Sequence, residues 1–258
     1  MKTLKDIEKR KEIAIKAARK AGKFLWDNFG KVAQIEEKKP HQLVTNIDLG
    51  AEKIIKEALI ENFPQENIIS EENPIRKKSE FSWIIDPLDG THNFIHNIDI
   101  FGVSIALAFR ENVILGVIYI PKDDELYFAL KGKGAYKNGK RIYVSERNIE
   151  QATLIFDSSI HYQKKKMLKD LKILSDAVFN IRMFGSTVRS LSFIAEGKAE
   201  AEVEYNDKVW DFSAGLILVE EAGGKATDLK GSPWNIYSKG YIASNLKIHE
   251  RILVLINS

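Results

Sequence analysis

No cysteine occurs among the 258 residues, which excludes disulfides, thiolate zinc sites, iron–sulfur clusters and a cysteine nucleophile. Any bound metal therefore has only oxygen and imidazole ligands to draw on, and oxygen donors select hard cations. Long apolar runs are missing too. Charges interrupt the opening KTLKDIEKRKEIAIKAARKAGKFL, and no uncharged apolar run of about eighteen residues occurs anywhere. The expectation is a cytoplasmic protein with no membrane partner. Neither sign of charge dominates: 39 Lys and Arg stand against 36 Asp and Glu, a net charge of +3, too small to read as a nucleic-acid coat. With 44% hydrophobic and 29% charged residues, and Gly and Pro at ordinary levels, the composition is that of a folded globular chain. Glutamine is scarce while Lys, Glu and Ile abound, the bias of ion-pair networks in a thermophilic source.

Apolar residues from Ile13 to Phe29 recur at three- and four-residue steps, which predicts an amphipathic helix over roughly residues 4 to 29, closed by Gly30. A strand end and a second helix follow in LVTNIDLGAEKIIKEALIENFP, stopped by Pro64. NIIS and FSWII read as buried strands, and residues 101 to 145 as a strand-rich meander. Beyond residue 152 strands and helices alternate, including a basic helix over KKKMLKDLKILSDAV whose lysine run reads as a solvated face. No Pro/Gly/Ser-rich linker intervenes, so the expected halves, 1–148 with most of the acidic ligands and 149–258 completing the site, should share an interface.

The central chemical signal is Trp83-Ile84-Ile85-Asp86-Pro87-Leu88-Asp89-Gly90-Thr91. An apolar strand delivers Asp86, and Pro87 lacks the donor needed to continue a ladder, so the chain is expected to turn there. Asp89 lies three residues on, close enough for one turn to aim both carboxylates at a common point. Gly90 permits an unusual φ, and Thr91 adds a hydroxyl. Two carboxylates so near are costly to ionise together unless divalent cations neutralise them. An N–H-rich helical turn at Gly90 and Thr91 would suit a phosphate oxygen. Taken alone, DPLDG is also the composition of a plain surface turn. Three further acidic positions are equally bland singly: Glu71 at the end of the short strand Ile68-Ile69-Ser70, and Asp48 and Asp211, each of which reads as a helix N-cap.

Together, LVTNID, ISEEN, WIIDPLDGTHNF, GST and WDFSAGLILVEEAGG resemble, in order and spacing, the inositol monophosphatase family, which includes archaeal-type fructose-1,6-bisphosphatases. The resemblance runs from about residue 4 to 250. It implies an α+β fold, the layered αβαβα sugar-phosphatase sandwich, and Mg²⁺-dependent hydrolysis of a phosphate monoester by metal-activated water, usually in a homodimer. By the same resemblance Glu71, Asp86 and the Leu88 carbonyl hold one ion, Asp86, Asp89 and Asp211 a second, and a third weakly held ion lies beside Glu71. Glu71 and Thr91 then hold the attacking water, with Asp48 behind Thr91. The substrate would meet Asp89, Gly90, Thr91, Asp211, Gly185-Ser186-Thr187 at another helix start, and Glu204. Arg182 is a candidate for a second phosphate.

Two positions depart from the family pattern: His92 stands where Thr is common, and Lys38-Lys39-Pro40 aligns poorly with the loop of the third ion. The substrates this implies are myo-inositol 1-phosphate, fructose 1,6-bisphosphate, or both. The alternatives are 3′-phosphoadenosine 5′-phosphate hydrolysis and a binding role at RNA polymerase or the transcription machinery.

Overall fold

The computed structural model describes residues 2–31, 34–39 and 42–258. In chain order these form α1 (Lys2–Asn28), a hairpin of β1 (Ile35–Lys39) and β2 (Gln42–Thr45), α2 (Asn46–Asn62), β3 (Asn67–Ser70), β4 (Phe81–Asp89) and the short α3 (Thr91–Ile95). A meander follows: β5 (Gly102–Phe109), β6 (Asn112–Ile120), β7 (Glu125–Leu130), β8 (Gly134–Lys137) and β9 (Lys140–Arg141). The remainder is β10 (Thr153–Phe156), α4 (Lys164–Ala177), β11 (Asn180–Arg182), α5 (Thr187–Ala195), β12 (Ala201–Glu204), α6 (Val209–Glu221), β13 (Lys225–Asp228), β14 (Tyr241–Ser244) and α7 (His249–Ile256). Among the described residues no helix is long and apolar enough to cross a membrane.

The strands make a seven-stranded sheet ordered β3 to β9, a five-stranded sheet ordered β11-β10-β12-β14-β13, and the β1–β2 hairpin. In a strand successive side chains point to opposite faces, and here both faces are claimed. Trp83 and Ile85 pack with Leu25, Ala51 and Ile55 of α1 and α2, while Ile84 between them packs with Leu191 and Leu216 of α5 and α6. In the second sheet Ile155 joins that same α5–α6 core, and Leu154 and Phe156 turn to Met167 of α4 and Ile252 of α7. Burial on both faces is why these strands read as unbroken apolar runs. The result is the layered αβαβα sandwich, with α5 and α6 between the two sheets.

Three local expectations are corrected. Pro87 does not end its strand: β4 continues to Asp89, and the irregularity takes the form of a register shift between the Asp86↔Ser104 and Asp89↔Gly102 pairs. A bulge absorbs the missing donor while keeping the strand in the sheet. Asp48 and Asp211 are not N-caps. Thr45 caps α2 and Lys208 stands at the N-cap position of α6, and both aspartates occupy N3, where their carboxylates accept the N-cap residue's N–H at 2.9 and 2.7 Å. The strand near Asn180 stops at Arg182. Lys38 and Lys39, expected in a loop, lie in β1, and Pro40 is outside the described residues. The β13–β14 pair and α7 had no counterpart in the sequence reading; strands of four residues are too short to show an alternation.

α7 is tied to the second sheet by His249, whose ring nitrogens lie 3.0 Å from the Thr227 hydroxyl and 2.8 Å from that of Ser244. Burial lowers its pKa from 6.5 to about 4. Between these values the unfolded chain binds a proton that the folded protein refuses, so stability is full above pH 6.5 and lost as pH falls towards 4. The expected loss is at most about 3 kcal/mol. Thermal melts across this range should slope less in His249→Gln than in the wild type.

Candidate active site

The parallel pairing of β3 with β4, in register Ser70↔Ile85, carries Glu71 alongside Asp86. Asp86 also faces Ser104 of β5, whose hydroxyl donates to the Trp210 carbonyl at 3.1 Å and so draws the start of α6, and Asp211, to the same place. Strand pairing and one helix contact thus gather acids from three segments. Asp86 is 2% exposed and Asp89 6%. Burial first, then Glu71, Asp211 and Asp89, push the Asp86 carboxyl well above its ordinary range. Burial likewise raises Asp211, with Asp207 the next largest cause. These acids repel one another, and only added positive charge or protons relieve them.

Beyond Asp89 the chain turns at Gly90, which has φ +86° and leaves no room for a side chain: a Cβ there would stand 2.8 Å from the Ile100 carbonyl oxygen. The turn sets Thr91 at the first position of α3. Its hydroxyl lies 3.0 Å from both the Leu88 carbonyl and Asp48 Oδ1. Asp48 Oδ2 in turn accepts from the Thr45 N–H and hydroxyl, at 2.9 and 2.5 Å. Burial outweighs these bonds and raises the Asp48 carboxyl. His92 sits exposed at the rim, its ring stacked on His96 at 4.2 Å.

The start of α5 meets Asp89 rather than standing open. The Ser186 hydroxyl donates to Asp89 Oδ2, as does the Val188 N–H at 3.2 Å, and the Thr187 N–H reaches Oδ1 at 3.1 Å. A carboxylate at a helix N-terminus is well placed, yet burial still raises Asp89 to about 6. Two groups that the resemblance gives to substrate are therefore engaged by a carboxylate of the chain itself. Asn93 staples this loop to α3 by donating to the Ile100 and Phe184 carbonyls, each at 2.8 Å.

Glu71, Asp86, Leu88, Asp89, Gly90, Thr91, Ser186, Thr187 and Asp211 line one cleft of about 800 Å³ between the sheets, joined by Glu37 and Leu43 of the hairpin; Asp48 stands behind the Thr91 hydroxyl, outside that lining. Gly185 and Glu204 line it as well. Arg182 does not: it is exposed on the edge strand β11, and its Nη1 donates to the neighbouring Ile181 carbonyl. The sequence reading missed Asp157, Glu202 and Asp207, which line the far wall. Two signals pointed there. In Ala201-Glu202-Val203-Glu204 the acids alternate with core residues on one face of a strand. Asp157 and Asp207 follow the C-terminal ends of the parallel strands β10 and β12, where ligands of open sheets gather.

Among the described residues no three carboxylate or imidazole side chains already close around one point as an ion cage does. The donor chemistry nevertheless fits hard divalent cations. Every gathered acid is an oxygen ligand, and four of them share one cleft, where Glu71, Asp211 and Asp89 add to burial in raising the Asp86 carboxyl.

Two sheets, three helical layers and an acidic cleft between them define a layered sugar-phosphatase-type hydrolase. Residues 6–258 match the inositol monophosphatase family. The chain belongs to that family, whose members hydrolyse phosphate monoesters with a metal, typically Mg²⁺. It is 36% identical to a fructose-1,6-bisphosphatase/inositol-1-monophosphatase of Thermotoga maritima, over 96% of each chain. Among solved structures it resembles the Thermotoga maritima IMPase, with a TM-score of 0.89 and 35% identity over 96% of this chain and 97% of the other. The extragenic suppressor protein suhB of Bartonella henselae superimposes with a TM-score of 0.93, at 35% identity over 96% and 98%.

Proposed function

We propose that this phosphatase acts on polyol or sugar monophosphate groups, those of myo-inositol 1-phosphate or fructose 1,6-bisphosphate, with two Mg²⁺ ions at the inner end of the cleft. The observation that carries this reading is Asp86, buried and raised by Glu71, Asp211 and Asp89 together. Glu71, Asp86 and the Leu88 carbonyl would hold one ion, and Asp86, Asp89 and Asp211 the other. Bound there, Mg²⁺ would lower the pKa of a water and neutralise charge on the transferring phosphoryl group.

The chain's own groups do the rest. Thr91 Oγ1 has one proton for two acceptors, Leu88 O and Asp48 Oδ1, so its lone pairs are left to accept from the attacking water. Asp48 fixes that hydroxyl, and Glu71 is the nearby carboxylate that takes the water's proton. Gly90 and Thr91 bring the backbone close to the phosphate at a point where no side chain fits. The expected homodimer finds support in Phe179, 75% exposed beside edge strand β11.

The direct test is phosphate release from each substrate with Mg²⁺ and with chelator. Turnover of at least one ester is expected only with the metal. Metal-independent turnover, or none on any phosphate monoester, would contradict the reading. Thr91→Ala should cut kcat by about 10²-fold with little change in KM, because it loosens the water rather than the substrate.

A further inference from the structure

The far wall of the cleft holds a carboxylate that neither the motifs nor the metal assignment uses. Asp207 follows β12; its Oδ2 accepts from Thr187 Oγ1 at 2.9 Å and lies 3.2 Å from the Tyr241 hydroxyl, whose single proton is shared with Glu202 Oε2 at 3.0 Å. Its Oδ1 takes no hydrogen bond from any described residue, and the side chain lines the cleft. Glu202 and Glu204 lie on the same face of β12, opposite Ala201 and Val203, which pack into the α4–α7 core. Asp207 is the charged neighbour that Glu202, Glu204 and Asp211 each feel most strongly. Burial, with Asp157 and Asp89, holds its own carboxyl up at about 8.

The lining has a second property. Among the described residues around the cleft none is Lys or Arg. A phosphate brought to the far wall would meet carboxyl groups and no permanent cation, a costly desolvation. A hydroxyl-rich carbon skeleton would meet acceptors, with one open oxygen ready. We propose that Asp207 is a specificity-determining residue that receives a hydroxyl of the substrate's carbon skeleton at Oδ1, so that the far wall selects a polyol rather than a second phosphate. This rests on the phosphatase reading above and narrows it to hydroxyl-bearing monophosphates.

The test compares two esters, myo-inositol 1-phosphate and the hydroxyl-free p-nitrophenyl phosphate, on the Mg²⁺-loaded full chain. In Asp207→Ala the ratio of kcat/KM for the inositol ester over the aryl ester should fall about tenfold, mostly through KM of the inositol ester. Asp207→Asn keeps an acceptor for Thr187 and Tyr241, and the ratio should fall about threefold. It also carries the test should the alanine variant not fold. If both esters lose activity in parallel, Asp207 only supports Thr187 and the start of α5, and the proposal is overturned. An unchanged ratio in both variants overturns it as well. Wild-type protein inactive on both esters would instead remove the phosphatase reading on which the proposal stands.

Discussion

Asp86→Asn should lower kcat by about 10³-fold or more, the several kcal/mol expected when a bridging metal ligand is lost, while raising the Tm of the metal-free protein. The two effects share a cause. Asp86 is buried beside Glu71, Asp89 and Asp211, and its carboxyl is held well above the ordinary range. A carboxyl with a raised folded pKa supports the fold fully below the unfolded value of 3.8 and penalises it as pH rises. At neutral pH an isosteric amide removes that penalty and keeps the bond from the Leu88 N–H, 3.0 Å from Asp86 Oδ1. Wild-type protein should in turn gain Tm on adding Mg²⁺, by mass action on the folded state, and Asp86→Asn should lose most of that gain. Differential scanning fluorimetry with and without Mg²⁺, beside a phosphate-release assay, reads all three quantities. A variant that melts lower than the wild type without metal would mean that the acids are not in mutual repulsion.

The second large effect is expected at Gly90. An L-residue at φ +86° carries left-handed strain, and its Cβ would stand 2.8 Å from the Ile100 carbonyl oxygen and 3.3 Å from Phe101 Cα. Gly90→Ala should cost about 2–5 kcal/mol of stability. For a chain of this size each kcal/mol is about 2–4 °C in Tm. Activity should fall in the protein that remains folded, because Asp89 precedes this turn and Thr91 follows it. Gly132→Ala is the control: φ is +74° there too, but nothing lies within 4 Å of the added Cβ. Only the strain, about 1–2 kcal/mol, should register. Equal losses in the two variants would mean that close approach at Gly90 contributes nothing.

Much of the site was legible in the chain because its signals are local. A short unbroken apolar run betrayed β4, Gly90 at the end of Asp-Pro-Leu-Asp-Gly marked a positive-φ turn, and the absence of cysteine left only oxygen and imidazole as ligands. Even so, local reasoning erred where two local solutions compete. Asp48 and Asp211 look like N-caps, but Thr45 and Lys208 take that position and leave each aspartate at N3. The difference matters, since at N3 only one carboxylate oxygen turns back to the cap: Oδ2 in both cases.

The sequence by itself determined which residue types are present, which turns and helices they nucleate, and that several strands are covered on both faces. Only the tertiary structure decided that the N–H groups of α5 close on Asp89, 98 residues before Thr187, that Arg182 stays on an outer edge, and that Asp157, Glu202 and Asp207 join the far wall. Periodicity and turn chemistry act over a few residues and can be read along the chain. Which carboxylates become neighbours depends on how α5 and α6 seat between the two sheets, a packing of apolar faces that brings together residues no local rule connects.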